Sequence, residues 1–192
     1  MVDRARHPLQ EVHNGLMHGQ CMANGLKKTS STIVIGARVA ESAANTFTEA
    51  SVDLQLNPLD NEVFVVQAID LNVANPDAID STDTSVTGTL TTTSQTALPG
   101  LQSSNTLALK ELSIRAGGLS PGGAVSFQSH SMETPPAMLD YIGIISTNDF
   151  FLQVQGAANN GAKAVTAKVY GYRARADAAT YAALVQSEVL SS

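Results

Sequence analysis

From Ser31 onward apolar residues recur at every second position. Ile33, Ile35, Ala37 and Val39 alternate with Thr32, Val34, Gly36 and Arg38, and Ala50, Val52, Leu54 and Leu56 alternate with Ser51, Asp53 and Gln55. That period puts successive side chains on opposite faces of an extended chain, so both runs predict strands with one core face. Asn57-Pro58 and Asp60-Asn61 supply the turn that follows. The next run, EVFVVQAIDLNV, is apolar on both parities, with Val63, Val65, Ile69 and Leu71 on one and Phe64, Val66 and Ala68 on the other. A strand apolar on both faces is covered on both. Phe64 and Val66 therefore predict a third layer or a neighbouring subunit, and they are candidate interface residues.

Asn75 to Thr84 reads as a loop, and the threonine-rich run Ser85 to Thr96 reads as a strand at a sheet edge. In TLALKELSIRA, Leu107 and Leu109 have one parity and Leu112, Ile114 and Ala116 the other, which predicts a β-bulge at Lys110-Glu111. Val125 and Phe127 open another short alternation, and MLDYIGIIS is an apolar run of strand length. The segment from Asn148 to Ala176 then reads as a β-hairpin turning at Asn159-Asn160-Gly161. Phe150, Leu152, Val154, Val165, Ala167 and Val169 form its core face. Phe151, Tyr170 and Tyr172 share the other parity and predict a contact surface. Tyr181 and Leu184 also need a surface to pack on, and the same rings could serve them.

The period becomes helical at both ends. Pro8 can start a helix whose stripe is Leu9, Val12, Leu16, Gly19, Ala23 and Leu26, weakened by Gly15, Gly19 and Gly25. Asp177 can cap a second helix with the stripe Tyr181, Leu184, Val185 and Val189. The chain thus divides into an N-terminal, partly helical arm (1–31), a β-sandwich of about eight or nine antiparallel strands (32–176) and a C-terminal helix (177–192). The fold class is all-β, of jelly-roll type, with helical extensions.

Composition narrows the chemistry. At 192 residues and 43% hydrophobic content the chain can bury one sizeable core. The single cysteine, Cys21, excludes an internal disulfide. No run of 18 uncharged apolar residues predicts a membrane span. Net charge is −6, and no Lys or Arg occurs between Arg38 and Lys110, where nine carboxylates fall; this stretch does not suit a nucleic-acid groove. Arg4, Arg6, Lys27 and Lys28 give the N-terminal arm a small basic excess, which could sit near a polyanion, although four charges fall short of a basic binding tail and better fit a solvated arm.

Candidate sites are sparse. Asp77, Asp80 and Asp83 could converge on calcium, although the glycine-centred spacing of a calcium-binding hand is missing and a solvated acidic turn explains them too. His18 and Cys21 could share a metal, but His13 lies off their face. His130 is the only histidine after residue 31, so neither a clustered-histidine metal site nor a serine-histidine-aspartate elbow is written in the sequence. Tryptophan is absent, which removes the usual sugar-stacking platform. No cofactor is predicted, and no catalytic residue.

The terminal pattern, FFLQVQG, then AANNGA, then AVTAKVYGYRARA, resembles the closing strand pair of single-jelly-roll virion proteins. The nearest such family is the small major capsid proteins of the sphaerolipovirus-like group of icosahedral archaeal and bacterial viruses. The likeness covers about 30 residues by pattern and carries no site residue. It implies a non-enzymatic capsid subunit, made in the host cytoplasm and residing in the virion. Its partners would be copies of itself, a second capsid protein and the genome. The alternative is a jelly-roll module that binds a carbohydrate or a receptor.

Overall fold

Four antiparallel strand pairs, joined into one ribbon and rolled up, make the body of the molecule. The computed structural model describes residues 25–116, 128–129 and 139–190. Its strands are β1 (Leu26–Lys28), β2 (Ile33–Ala40), β3 (Thr48–Asp53), β4 (Glu62–Val73), β5 (Thr84–Thr91), β6 (Thr106–Ile114), β7 (Gln128–Ser129), β8 (Gly143–Ile145), β9 (Asp149–Ala157) and β10 (Ala164–Ala176), followed by helix α1 (Ala178–Leu190). The pairs of the ribbon are β2 with β10, β3 with β9, β4 with β8 and β5 with β6. Rolling the ribbon lays β10 against β4 and β9 against β5, which closes two five-stranded sheets. One sheet runs β2, β10, β4, β8, with β1 extending the β2 edge; the other runs β3, β9, β5, β6, β7. This is the jelly-roll order, and the all-β reading of the sequence holds. No helix of the described residues is long and apolar enough to cross a membrane.

Strands β9 and β10 do not form the predicted hairpin. They belong to different sheets, and residues 158–163 carry the chain across the sandwich. The alternation was read correctly: Phe150, Leu152, Val154, Val165, Ala167 and Val169 are all buried in one cluster. They meet face to face from opposite sheets rather than side by side in one. Each of the larger side chains among them stabilises by roughly 2 kcal/mol on full burial, which is enough to orient each strand irrespective of its neighbours. The residue with positive φ in the crossing is Ala158 (55°), whereas Asn159 is buried and bonded.

The apolar-on-both-faces strand, β4, resolves through a bulge. Its register against β10 slips between Tyr170 and Gly171, leaving Gln67 as the extra residue on β4. Past that point the parity reverses. Phe64 and Val66 join Ile69, Leu71 and Val73 on the inner face, while Val63 and Val65 turn outward beneath α1. Gly171 is obligatory here: a Cβ would lie 2.4 Å from the Val65 carbonyl oxygen and 2.6 Å from the Phe64 ring. The predicted third layer exists, and α1 supplies it. Phe64 and Val66 are the wrong residues for an interface, because they are 1% and 0% exposed inside the chain's own core.

Other expectations need similar correction. No bulge occurs at Lys110-Glu111, since pairing with β5 runs unbroken from Thr84 to Leu90; the irregularity falls at Leu107. Lys110 instead takes an inner-face position opposite Gly88 and reaches out to donate to the Leu71 carbonyl at 3.1 Å. Strand β5 is no edge strand either, as it lies between β9 and β6. Leu26, placed on a helical stripe by its spacing, pairs with Ala176 in β1. The rest of that predicted helix lies outside the described residues, as do His7, His13, His18, Cys21, Val125, Phe127 and His130.

Candidate functional site

The predicted contact residues do not form one patch. Phe151 is on the outer face of one sheet, and Tyr170 and Tyr172 are on the outer face of the other. Tyr172 packs with Tyr181 and Leu184 under α1, with Lys28 Nζ 4.4 Å from its ring centroid. Burial holds its hydroxyl above the ordinary tyrosine pKa, with the carboxylate of Asp140 adding to the shift. Tyr172 is therefore part of the helix-to-sheet contact, as the needs of Tyr181 and Leu184 suggested. Tyr170, opposite Val34 and Ala68, lies on the half of the same face that α1 does not cover.

Helix α1 begins where Asp177 Oδ1 accepts from the Thr180 amide at 2.7 Å, a cap that draws the Asp177 carboxyl below its usual pKa. Its one charged residue, Glu188, points inward and is 7% exposed. Glu188 Oε2 accepts from the Ser146 amide at 2.9 Å and the Ser146 hydroxyl at 2.5 Å, while Oε1 accepts from the Thr147 hydroxyl at 2.8 Å. These bonds clamp the last turn of α1 to the β8–β9 connection. The outward side of the helix carries Ala178, Ala179, Ala182, Ala183 and Gln186, and ends on Val189 and Leu190, the latter 75% exposed. A helix on a solvated surface normally puts its charges outside. Here the charge is inside and the outside is uncharged. The predicted stripe of Tyr181, Leu184, Val185 and Val189 is correct for its first three positions, but Glu188 takes the buried place assigned to Val189.

The three calcium candidates separate. Asp77 accepts from Lys163 Nζ at 2.5 Å and from the Asn160 amide at 2.9 Å, and that ammonium holds its carboxyl below the usual range. Asp83 pairs with Arg115 at 3.0 Å and accepts from the Ala116 amide. With two of the three committed to different cations, no set of three potential ligands gathers among the described residues.

Asp77 belongs to a polar junction that sequence reasoning missed. Glu41, buried, accepts from the amides of Gly156 at 2.6 Å and Lys163 at 2.7 Å. The Asn45 side chain brackets the Asn159 backbone, donating to its carbonyl and accepting from its amide, and the Asn159 side chain bridges the Asp77 amide to the Ser85 carbonyl. Three connections, β2–β3, β4–β5 and β9–β10, are thereby tied together at one end of the roll. These are backbone-satisfying bonds, and their role is structural. At the other end Arg173 spans the sheets, donating to the carbonyls of Leu54 and Gln55 and to Glu62.

The outer face of the β3–β9–β5 sheet is sealed by polar groups. Thr89 donates to Gln153 Oε1 at 2.8 Å, and Gln153 Nε2 donates to Thr91 Oγ1 at 2.6 Å and Glu49 Oε2 at 2.9 Å. Glu49 in turn accepts from the Ser94 hydroxyl and the Gln95 amide, which draws the segment after β5 over the sheet. Among the described residues the face of β2–β10–β4 beyond α1 has no such cover, and an open groove of about 680 Å³ runs across it. Compared with known proteins, the chain matches no family model and no curated sequence.

Proposed function

We propose that the chain is a structural subunit that assembles with copies of itself, of the kind that builds a virion shell. The outer face of α1 carries this reading. Alanines allow close approach, Val189 and Leu190 remain exposed, and the helix's one charge is turned inward; such a face gains from being covered. The rolled ribbon supports it, since jelly rolls recur in capsid proteins, although lectins and cupins share the architecture and the fold alone does not choose among them. On this reading the chain acts in the virion after synthesis in the host cytoplasm, beside a second capsid protein.

The test is Ala183→Glu, which places a carboxylate on the exposed side without touching the core. Sedimentation velocity and negative-stain microscopy of the full chain should show regular assemblies for the unaltered protein and smaller species for the variant, at equal melting temperature. An unaltered protein that stays monomeric across the micromolar range overturns the reading.

A further inference from the structure

The open half of the β2–β10–β4 face is a grid of outward side chains whose register is known. One row is Val34, Tyr170, Ala68; the next is Gly36, Lys168, Asp70; the third is Arg38, Thr166, Asn72. The groove crosses the second and third rows, and Tyr170 lies in the row next to it. Its volume falls in the range of small-molecule sites.

Charge in this grid is poorly compensated among the described residues. Arg115, Lys163, Arg173 and Arg175 each have a carboxylate partner at 2.5–3.1 Å. Arg38 and Lys168 have none among the described residues, and both are exposed. They are diagonal neighbours on adjacent strands of one face, a spacing at which like charges repel. Asp70, directly across from Lys168, makes no ion pair with it. Between the cations lies Gly36, where an added Cβ would meet nothing within 4 Å, so the floor of the groove is open.

We infer that this groove binds an acidic saccharide, a sugar bearing a carboxylate or a sulfate. Arg38 and Lys168 take the anionic substituent through charge-assisted hydrogen bonds. Asp70 and Asn72 accept from ring hydroxyls, and Tyr170 offers the one aromatic surface beside them. Asp70 is what separates this class from a phosphodiester: a carboxylate repels a backbone of phosphates but welcomes hydroxyl donors. The site is independent of assembly through α1, and it would give specific residues to a binding-module role.

Titration calorimetry on the full chain tests this with five probes: a sulfated galactan hexasaccharide free of carboxylates, an oligogalacturonate, neutral maltohexaose, inorganic phosphate and a short single-stranded oligonucleotide. One of the two acidic saccharides should bind, which also decides between sulfate and carboxylate, and maltohexaose should not. Lys168→Gln and Arg38→Gln should each weaken binding at least tenfold, and Asp70→Asn should weaken it too. Gly36→Leu, which fills the groove without changing charge, should abolish it. All four positions are exposed, and melting curves check that the variants fold. Absence of binding to both acidic saccharides overturns the proposal. So does equal binding of the oligonucleotide that tightens in Asp70→Asn, which would mark a general anion patch.

Discussion

The outer faces of the two sheets treat polar side chains in opposite ways. On the β3–β9–β5 sheet, Thr89, Thr91 and Gln153 are fully buried and bond one another and Glu49 under the chain that follows β5. On the open half of β2–β10–β4, Arg38, Lys168 and Asp70 lie exposed without an ion pair among them. The first arrangement is closed, because every donor has an acceptor inside the chain, and its value is to hold the fold. The second is unfinished among the described residues, and it leaves charges on offer to a partner. The α1 half of that same face adds a third case, in which a carboxylate is buried and its donors are supplied by the β8–β9 connection.

The largest effect should come from the closed face. Gln153→Leu removes the acceptor of the buried Thr89 hydroxyl, and with it one of the partners of Thr91 and one of those of Glu49. Denaturant unfolding should show a loss of about 4 kcal/mol, from about 1–3 kcal/mol for the orphaned hydroxyl and about 1.5–3 kcal/mol for the lost bond to the charged Glu49. A loss under about 1 kcal/mol would show that water reaches this face and that the contrast is false. Next comes Glu188→Ala, which orphans the Ser146 and Thr147 donors and loosens the last turn of α1. The expected cost is about 3 kcal/mol, with protease cleavage between Leu184 and Leu190 appearing before global unfolding.

Smaller again is a pH effect. The Asp77 carboxyl, bonded to Lys163, has a folded-state pKa below its ordinary value of 3.8. Its contribution is therefore complete above that value and is lost as the pH falls through the folded one. Asp77→Asn should flatten the acid limb of the stability curve below about pH 4 and leave the neutral region nearly parallel, as read by melting temperature against pH. The smallest effect belongs to the open face: Lys168→Gln should change unfolding free energy by no more than about 0.5 kcal/mol. A larger loss would make Lys168 a structural residue and draw the two faces together.

Much of this could be read along the chain. Nearly every strand of the body was legible, because period-two alternation needs no knowledge of what a strand pairs with. The turn at Asn57 to Asn61 was legible through its residue chemistry, and so was the Asp177 cap. The hairpin error has the same origin as the success. Phe150, Leu152 and Val154 would alternate identically whether β10 lay beside β9 or across the core from it. Glu188 was missed because a glutamate on a helix is ordinarily solvated, and nothing nearby in sequence announces that Ser146 and Thr147 will meet it. The threonines of β5 read as an edge for a similar reason, since threonine at period two looks the same whether it faces water or a buried glutamine.

By itself the sequence determined which side chains must leave water, where the backbone turns and where the helix starts, because these depend on local period and on residues with special backbone or capping chemistry. The tertiary structure alone decided which strands pair, that β4 reverses its faces at Gln67, and which polar groups are satisfied. Strand pairing uses backbone groups that every residue shares, so it carries no local signature. A single bulged residue exchanges core for surface along the rest of a strand, and whether Thr89 or Lys168 has a partner depends on residues far away in the chain.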